Sequence, residues 1–185
     1  MNDNRVVDED AQLMKRAARG DPNAFRTLVI RHQASVLNVI YRFIGDRAEA
    51  EDLAQEVFIR IWQSRKQYEP LAKFTTYLYR IATNVCLNYV RRKRIISLDD
   101  VAETGSDELS PATQLLKKET DVIIKNAIDS LPPNQKMAVI LHRFKGRSYK
   151  EISEVMGLSL SAVESLLHRV SLKLTEILAP YFKNK

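Results

Sequence analysis

RSYKEISEVMGLSLSAVESLLHRVSLKL, residues 147–174, carries the punctuation of two short helices set about a tight turn. Ser148 with Glu151 three positions on is a capping-box pattern, in which each side chain satisfies a backbone N–H that the first helical turn leaves without a partner. Ile152, Val155 and Met156 recur at helical spacing and form an inward face. Gly157 ends that helix where a left-handed residue is wanted. Leu158 is expected to plug the turn, and Ser159 or Ser161 to cap the next helix. There Val163, Leu166, Leu167 and Val170 pack inward, leaving Ala162, Glu164, Ser165, His168 and Arg169 outside. A helix so presented fits a DNA major groove, and the basic Arg143, Lys145, Arg147 and Lys150 lie where phosphates would. The alternative is an ordinary helical hairpin, since helical turns containing glycine are common.

Upstream of this motif the apolar pattern of Val122, Ile123, Ala127 and Ile128 breaks at Leu131-Pro132-Pro133 and resumes through Met137, Val139, Ile140 and Leu141. Residues 121–185 are thus expected to form a small second domain. Before it, residues 96–120 lose periodicity and gather Asp, Glu, Ser, Gly and Pro, the composition of a flexible acidic linker. Residues 1–95 form a first domain of four helices. One helix ends near Gly20, and Asp21-Pro22 caps and opens the next, which runs to about Gly45. Asp46 with Glu49 opens a third, whose apolar face is Leu53, Val57, Phe58, Ile61 and Trp62. The expected fold is all-α, because β-alternating runs are absent and only 5 glycines interrupt the chain.

The fourth helix of the first domain, within KFTTYLYRIATNVCLNYVRRKR at 73–94, has two faces. Phe74, Leu78, Ile81 and Val85 fall in one narrow sector suited to a core. Roughly a quarter-turn away stand Lys73, Tyr77, Arg80, Asn84 and Arg91, with Asn88 at the edge. Tyr stacks on unpaired bases, Asn pairs with base edges and Arg or Lys neutralises phosphate. Such a face is also compatible with a plain solvated surface.

The totals favour a polyanionic partner. The 185 residues hold 29 Lys plus Arg against 23 Asp plus Glu, a net charge of +6. Basic blocks flank the acidic one: 17 basic against 11 acidic side chains in residues 1–94, 2 against 6 in 95–120, and 10 against 6 in 121–185. One cysteine excludes an internal disulfide, and with three scattered histidines it offers no zinc spacing. Neither converging carboxylates nor a nucleophile beside a base appears, so an enzyme, a cofactor and a small-molecule substrate are not expected. The start MNDNRVVDEDAQ lacks an apolar core, and no stretch approaches the roughly 18 apolar residues of a membrane span. A cytoplasmic protein without direct membrane insertion is the expectation.

DPNAFRTLV, DRAEAEDLAQEVFIRIW and FTTYLYRIATNVCLNYVRR, followed by LPPNQKMAVILHRFKGRSYKEISEVMGLSLSAVESLLHR, together resemble the extracytoplasmic-function (ECF) sigma factors of the sigma-seventy superfamily. The resemblance covers nearly the whole chain. It implies a promoter-specificity subunit, not itself a catalyst, whose partners are core RNA polymerase and promoter DNA. Members are often held inactive by an anti-sigma factor, so such a partner joins the expectations.

By the resemblance, Asp52, Gln55, Glu56 and Phe58 would dock on core polymerase, an acidic and amide face beside exposed aromatics. Lys73, Tyr77, Arg80, Asn84, Asn88, Arg91, Arg92 and Arg94 would read and open the minus-ten element, with the loop from Lys66 to Lys73 helping to hold an extruded base. Arg147, Ser148, Ser161, Glu164, Ser165, His168 and Arg169 would engage the minus-thirty-five element. The acidic linker would pass through the polymerase cleft. Many relatives have Trp in place of Tyr77, Asp in place of Asn88 and basic residues at Glu164 and Leu166, so promoter readout is expected to differ in detail. The rival reading is a conventional helix-turn-helix repressor or activator acting without sigma function; it leaves the polar stripe of 73–94 unexplained.

Overall fold

A computed structural model describes residues 8–99 and 115–182, and among them there is helix and short connections but no strand. The first four helices are α1 (Glu9–Ala18), α2 (Pro22–Ile44), α3 (Arg47–Gln63) and α4 (Phe74–Asp99), with a 3-10 turn at Arg65–Gln67. Their starts follow the sequence signals. Asp21 Oδ1 accepts the N–H groups of Asn23 and Ala24, and Asp46 Oδ1 accepts that of Glu49. Gly45 ends α2 at φ +89°, a backbone conformation that a side chain would strain.

Met14, Leu28, Val36, Ile40, Ile61, Phe74, Leu78 and Val85 are fully buried where α1 to α4 meet. Each large apolar side chain removed from water contributes on the order of 1.5–3 kcal/mol, so this apolar stripe is what fixes α4 in place.

The second unit comprises α5 (Leu115–Asp129), α6 (Pro133–Val139), α7 (Tyr149–Met156) and α8 (Leu160–Phe182), with α6 running on into a π-helical turn at Ile140–Phe144. The capping box at α7 is complete: Ser148 Oγ accepts the Glu151 N–H while the Glu151 carboxylate accepts the Ser148 N–H. Gly157 ends α7 in the left-handed region at φ +66°, and Ser159 Oγ accepts the N–H of Ala162 to begin α8. Ile152, Val155, Val163, Leu167 and Val170 are buried between the two helices. Leu158 does not plug the turn as expected; it is exposed, and only its N–H is used, on the Ser153 carbonyl.

Two features depart from a pair of tethered domains. Helix α4 continues through Asp99 and α5 has begun by Leu115, so both ends of the segment expected as linker are helical, and residues 100–114 lie outside the described residues. The two units also touch. Helix α7 lies along α4, α6 reaches α4, and the π-helical turn meets the end of α2, joining buried residues of both units into one apolar cluster. Tyr79, on a side of α4 turned away from Leu78 and Val85, is buried there, with the Arg147 guanidinium 5.1 Å from its ring.

Candidate nucleic-acid interface

The polar stripe of α4 divides in the structure. Lys73, Asn84, Arg91 and Arg92 are exposed, while Asn88 is half-buried and accepts a hydrogen bond from Arg91 Nη2 at 2.8 Å. Arg94 is exposed and engaged in an interaction of its own. Tyr77 is not a free stacking platform. Its hydroxyl shares a 2.7 Å hydrogen bond with Ser64 Oγ, and its ring meets Tyr68 edge-on at 5.1 Å. With Phe74 they form an aromatic nest beneath the turn before α4, where burial holds the Tyr68 phenol up at about 12. Arg80, though solvent-accessible, donates from Nε and Nη2 to the Glu154 carbonyl of α7 at 3.2 and 3.0 Å.

Beside Asn84 is a groove of about 400 Å³ lined by Arg60, Gln63, Ser64, Gln67 and Ile81. The end of α3, the 3-10 turn and the middle of α4 converge to make it. Two amides and Asn84 thus face one concavity, each able to donate to and accept from a base edge. Gln67 falls within the loop expected to hold an extruded base. Arg60, Gln63 and Ser64 were not anticipated, because they belong to the far end of a helix read for its apolar face; their only sequence signal is polarity at the helix terminus.

On α8 the outward residues stand as their spacing predicts. Ser161, Glu164, Ser165, His168 and Arg169 are exposed along one face, and Leu166 is buried. Ser148 is consumed by the capping box of α7. Arg147 is drawn inward: its side chain, 17% exposed, pairs with Glu151 at 2.9 Å and lies 5.1 Å from the Tyr79 ring of the first unit. The Ser148 backbone N–H, followed by Arg147 and the Ser148 side chain, holds the Glu151 carboxyl below its ordinary range.

The α3 face also differs from an acidic surface beside exposed aromatics. Asp52 and Gln55 are exposed, and Glu56 is half-buried in an i,i+4 ion pair with Arg60. Phe58 is 9% exposed and belongs to the core, while Ile59, at 54%, is the apolar residue that reaches solvent. Between α2 and α3 lies a groove of about 620 Å³, with Val29, Leu37, Gln55, Phe58 and Ile59 in its walls. This pattern, an apolar groove rimmed by Glu51 and Gln55 on a helix where Asp52 is also exposed, suits an amphipathic protein partner with basic residues more than it suits DNA. Among the described residues no helix is long and apolar enough to cross a membrane, and no group of three His, Cys, Asp or Glu is placed to hold a metal ion.

Residues 28–95 match the family model for Sigma-70 region 2, and residues 121–174 that for Sigma-70 region 4. The chain is 33% identical to the RNA polymerase sigma-H factor of Pseudomonas aeruginosa, over 95% of this chain and 97% of that protein. It is 32% identical to the ECF RNA polymerase sigma-E factor of Escherichia coli, over 86% of this chain and 89% of the relative. Among solved structures, CnrH in complex with the cytosolic domain of CnrY has a like fold, with a TM-score of 0.69, 24% identity and coverage of 94% of this chain and 99% of that one. So does the sigma factor RpoE of Bartonella quintana, solved with the anti-sigma factor NepR, with a TM-score of 0.68, 21% identity and coverage of 84% and 96%.

Proposed function

We propose a division of labour for this chain, which belongs to the sigma-70 family of RNA polymerase sigma factors and, within it, to the extracytoplasmic-function type. It is a transcription initiation factor that directs core RNA polymerase to promoter DNA. In our reading it is a non-catalytic subunit acting in the cytoplasm, where its polymerase and promoters are.

The first unit opens and reads the minus-ten element. The observation that carries this reading is the groove beside Asn84, where Gln63 and Gln67 add two amides to one concavity. A base drawn out of the stack exposes its pairing edge, which these amides can read, and unstacking is least costly where the duplex is weak. Lys73, Arg91, Arg92 and Arg94 hold the backbone, adding affinity that falls with salt and carries little sequence information. Tyr77 shapes the aromatic nest below the groove and Asn88 orients Arg91, so both support the site from beneath.

The second unit places α8 in the major groove of the minus-thirty-five element. Ser161, Ser165, His168 and Arg169 supply polar contacts, and Glu164 is suited to accept from a cytosine amino group. The α3 face, with Gln55 and Ile59 in the Phe58-floored groove and Asp52 exposed on the same helix, docks on core polymerase. An anti-sigma factor is a natural further partner, since similarly folded proteins have been solved with CnrY and with the anti-sigma factor NepR.

The deciding experiment adds the protein to sigma-free core polymerase and maps transcript starts on fragmented genomic DNA. Discrete starts sharing two spaced elements are expected, and their loss on Asn84→Ala with polymerase binding retained supports the groove as the base reader. Unchanged initiation by Asn84→Ala would move that role elsewhere.

A further inference from the structure

We infer that a single-strand track leaves the groove beside Asn84: Lys66, Lys15 and Arg19 form a cationic row that carries the phosphate backbone of the opened strand onward across α1. The inference rests on the reading of that groove as the holder of an extruded base, and it gives a role to α1, which that reading leaves without one.

One side of α1 lays out the row. Asp8 accepts the N–H of Phe74, so the side of α1 that carries Asp8 faces the entrance of α4. At about 100° per residue, Lys15 and Arg19 return to within about 20° of Asp8. At a rise of 1.5 Å per residue they stand about 10 and 16 Å further along the axis. The 3-10 turn Arg65–Gln67 packs against α1 as well, and the next residue, Tyr68, meets the Phe74 ring edge-on, so the turn ends at the same entrance. Within the turn Gln67 lines the groove and Lys66 is exposed beside it. Arg65 is held by protein instead: Nη1 donates to the Trp62 carbonyl at 2.7 Å and the guanidinium lies 3.9 Å from the Trp62 ring centroid. From Gln67 the row therefore runs through Lys66, Lys15 and Arg19, away from the entrance of α4.

Charge divides the two flanks of α1. Glu9 and Asp10 turn to α2, where Arg31 Nη1 lies 3.4 Å from Glu9 and 2.9 Å from Asp10, and His32 Nε2 lies 2.7 Å from Asp10. Asp8 is consumed as a cap, and Asp21 is paired with Arg16 at 2.7 Å. Lys15, Arg19 and Lys66 have no ion-pair partner among the described residues; Arg19 and Lys66 are exposed and Lys15 is half-buried. Along the loop 64–73 only Glu69 is acidic, against Arg65, Lys66 and Lys73. Interspersed signs make an inert solvated surface, whereas a row of one sign draws a polyanion. Long cationic side chains follow a backbone without reading bases, so the row adds affinity that falls with salt. About 16 Å of α1 covers at most about five phosphates at 3.4 Å per nucleotide of one strand. Arg91 and Arg92 are exposed at the other end of α4, so the strand is gripped on both sides of the groove.

The test places a photoreactive aryl azide on Lys15→Cys, Arg19→Cys or Gln67→Cys, Cys86 being buried, in holoenzyme bound to a promoter recovered by start mapping. Gln67→Cys should crosslink within the minus-ten element. Lys15→Cys and then Arg19→Cys should crosslink to the same strand, within about five nucleotides on one side of that point. No crosslink from either α1 position, with Gln67→Cys reacting, would overturn the track and leave the groove standing. Crosslinks from α1 without one from Gln67→Cys would support the α1 contact and overturn the groove as the base holder. Lys15→Gln/Arg19→Gln should lower the salt slope of promoter binding by about 1.4, at about 0.7 for each single-strand phosphate contact, with base discrimination unchanged. An unchanged slope would overturn the track even where crosslinks form, since α1 would then lie near the strand without holding its charge.

Discussion

Asp8 accepts the backbone N–H of Phe74 at 2.6 Å, across 66 residues of chain, with the oxygen left over after its other oxygen has taken the N–H groups of Asp10 and Ala11. One carboxylate thereby closes the starts of α1 and α4 together. Fixing the entrance of α4 also fixes the aromatic nest and the groove beside Asn84. Asp8→Ala is expected to lower stability by about 1–2 kcal/mol or somewhat more, since one cap is commonly worth about 1 kcal/mol and two are lost here. The denaturant midpoint, measured beside Asp21→Ala as a single-cap control, checks it.

Groove and phosphate residues should separate by their signatures. Asn84→Ala or Gln67→Ala is expected to reduce discrimination at one base of the minus-ten element by about 1–3 kcal/mol, leaving the salt dependence of binding unchanged. Arg91→Ala or Arg92→Ala is expected to weaken all sequences alike and to lower the salt slope by about one. Fluorescence titrations of single-stranded oligonucleotides at several salt concentrations distinguish the two.

Asp52→Arg is expected to reduce holoenzyme assembly about tenfold or more with the fold intact, because it reverses the charge of an exposed residue on the face proposed to meet polymerase. Phe58→Ala is expected to act differently. Its ring is in the core, so truncation should cost about 3–5 kcal/mol of stability and lose assembly through unfolding. Thermal melts run beside polymerase pull-downs tell these apart.

Acid should loosen the start of α7. The Ser148 backbone N–H holds the Glu151 carboxyl below the ordinary glutamate range, so its contribution to stability is present above that range and is lost as pH falls through the lower folded value. Stability measured from pH 6 down to pH 3 should therefore fall less steeply in Glu151→Gln than in wild type, with the difference confined to the region below about pH 4.5.

Cys86 should be inert in the folded chain. Burial pushes its thiol up to about 12, and the side chain is fully enclosed. Iodoacetamide at pH 8 is expected to leave it unmodified until denaturant is added; mass spectrometry of the treated protein is the check.

The helical registers were legible from local signals because each depends on neighbours within about four residues. Asp21-Pro22, Asp46 with Glu49, Ser148 with Glu151 and Gly157 are instructions that the chain carries beside the structure they specify. The outward face of α8 was equally legible, since spacing alone separates Glu164 and His168 from Val163 and Leu167. The site on α4 was legible only in part. Spacing put Tyr77 on the same face as Asn84, yet a hydroxyl on Ser64, thirteen positions earlier, turns Tyr77 into a supporting residue.

By itself, then, the sequence determined an all-α chain with two helical units and a polar stripe whose side chains suit nucleic acid, because apolar period, caps and charge are properties of short stretches. Tertiary structure alone decided which polar residues share the groove with Asn84, which oxygen caps α4, and that Arg80 and Arg147 are turned toward protein. These depend on residues brought together from distant positions. Packing of whole helix faces sets such meetings, and no local pattern records which face will be covered by what.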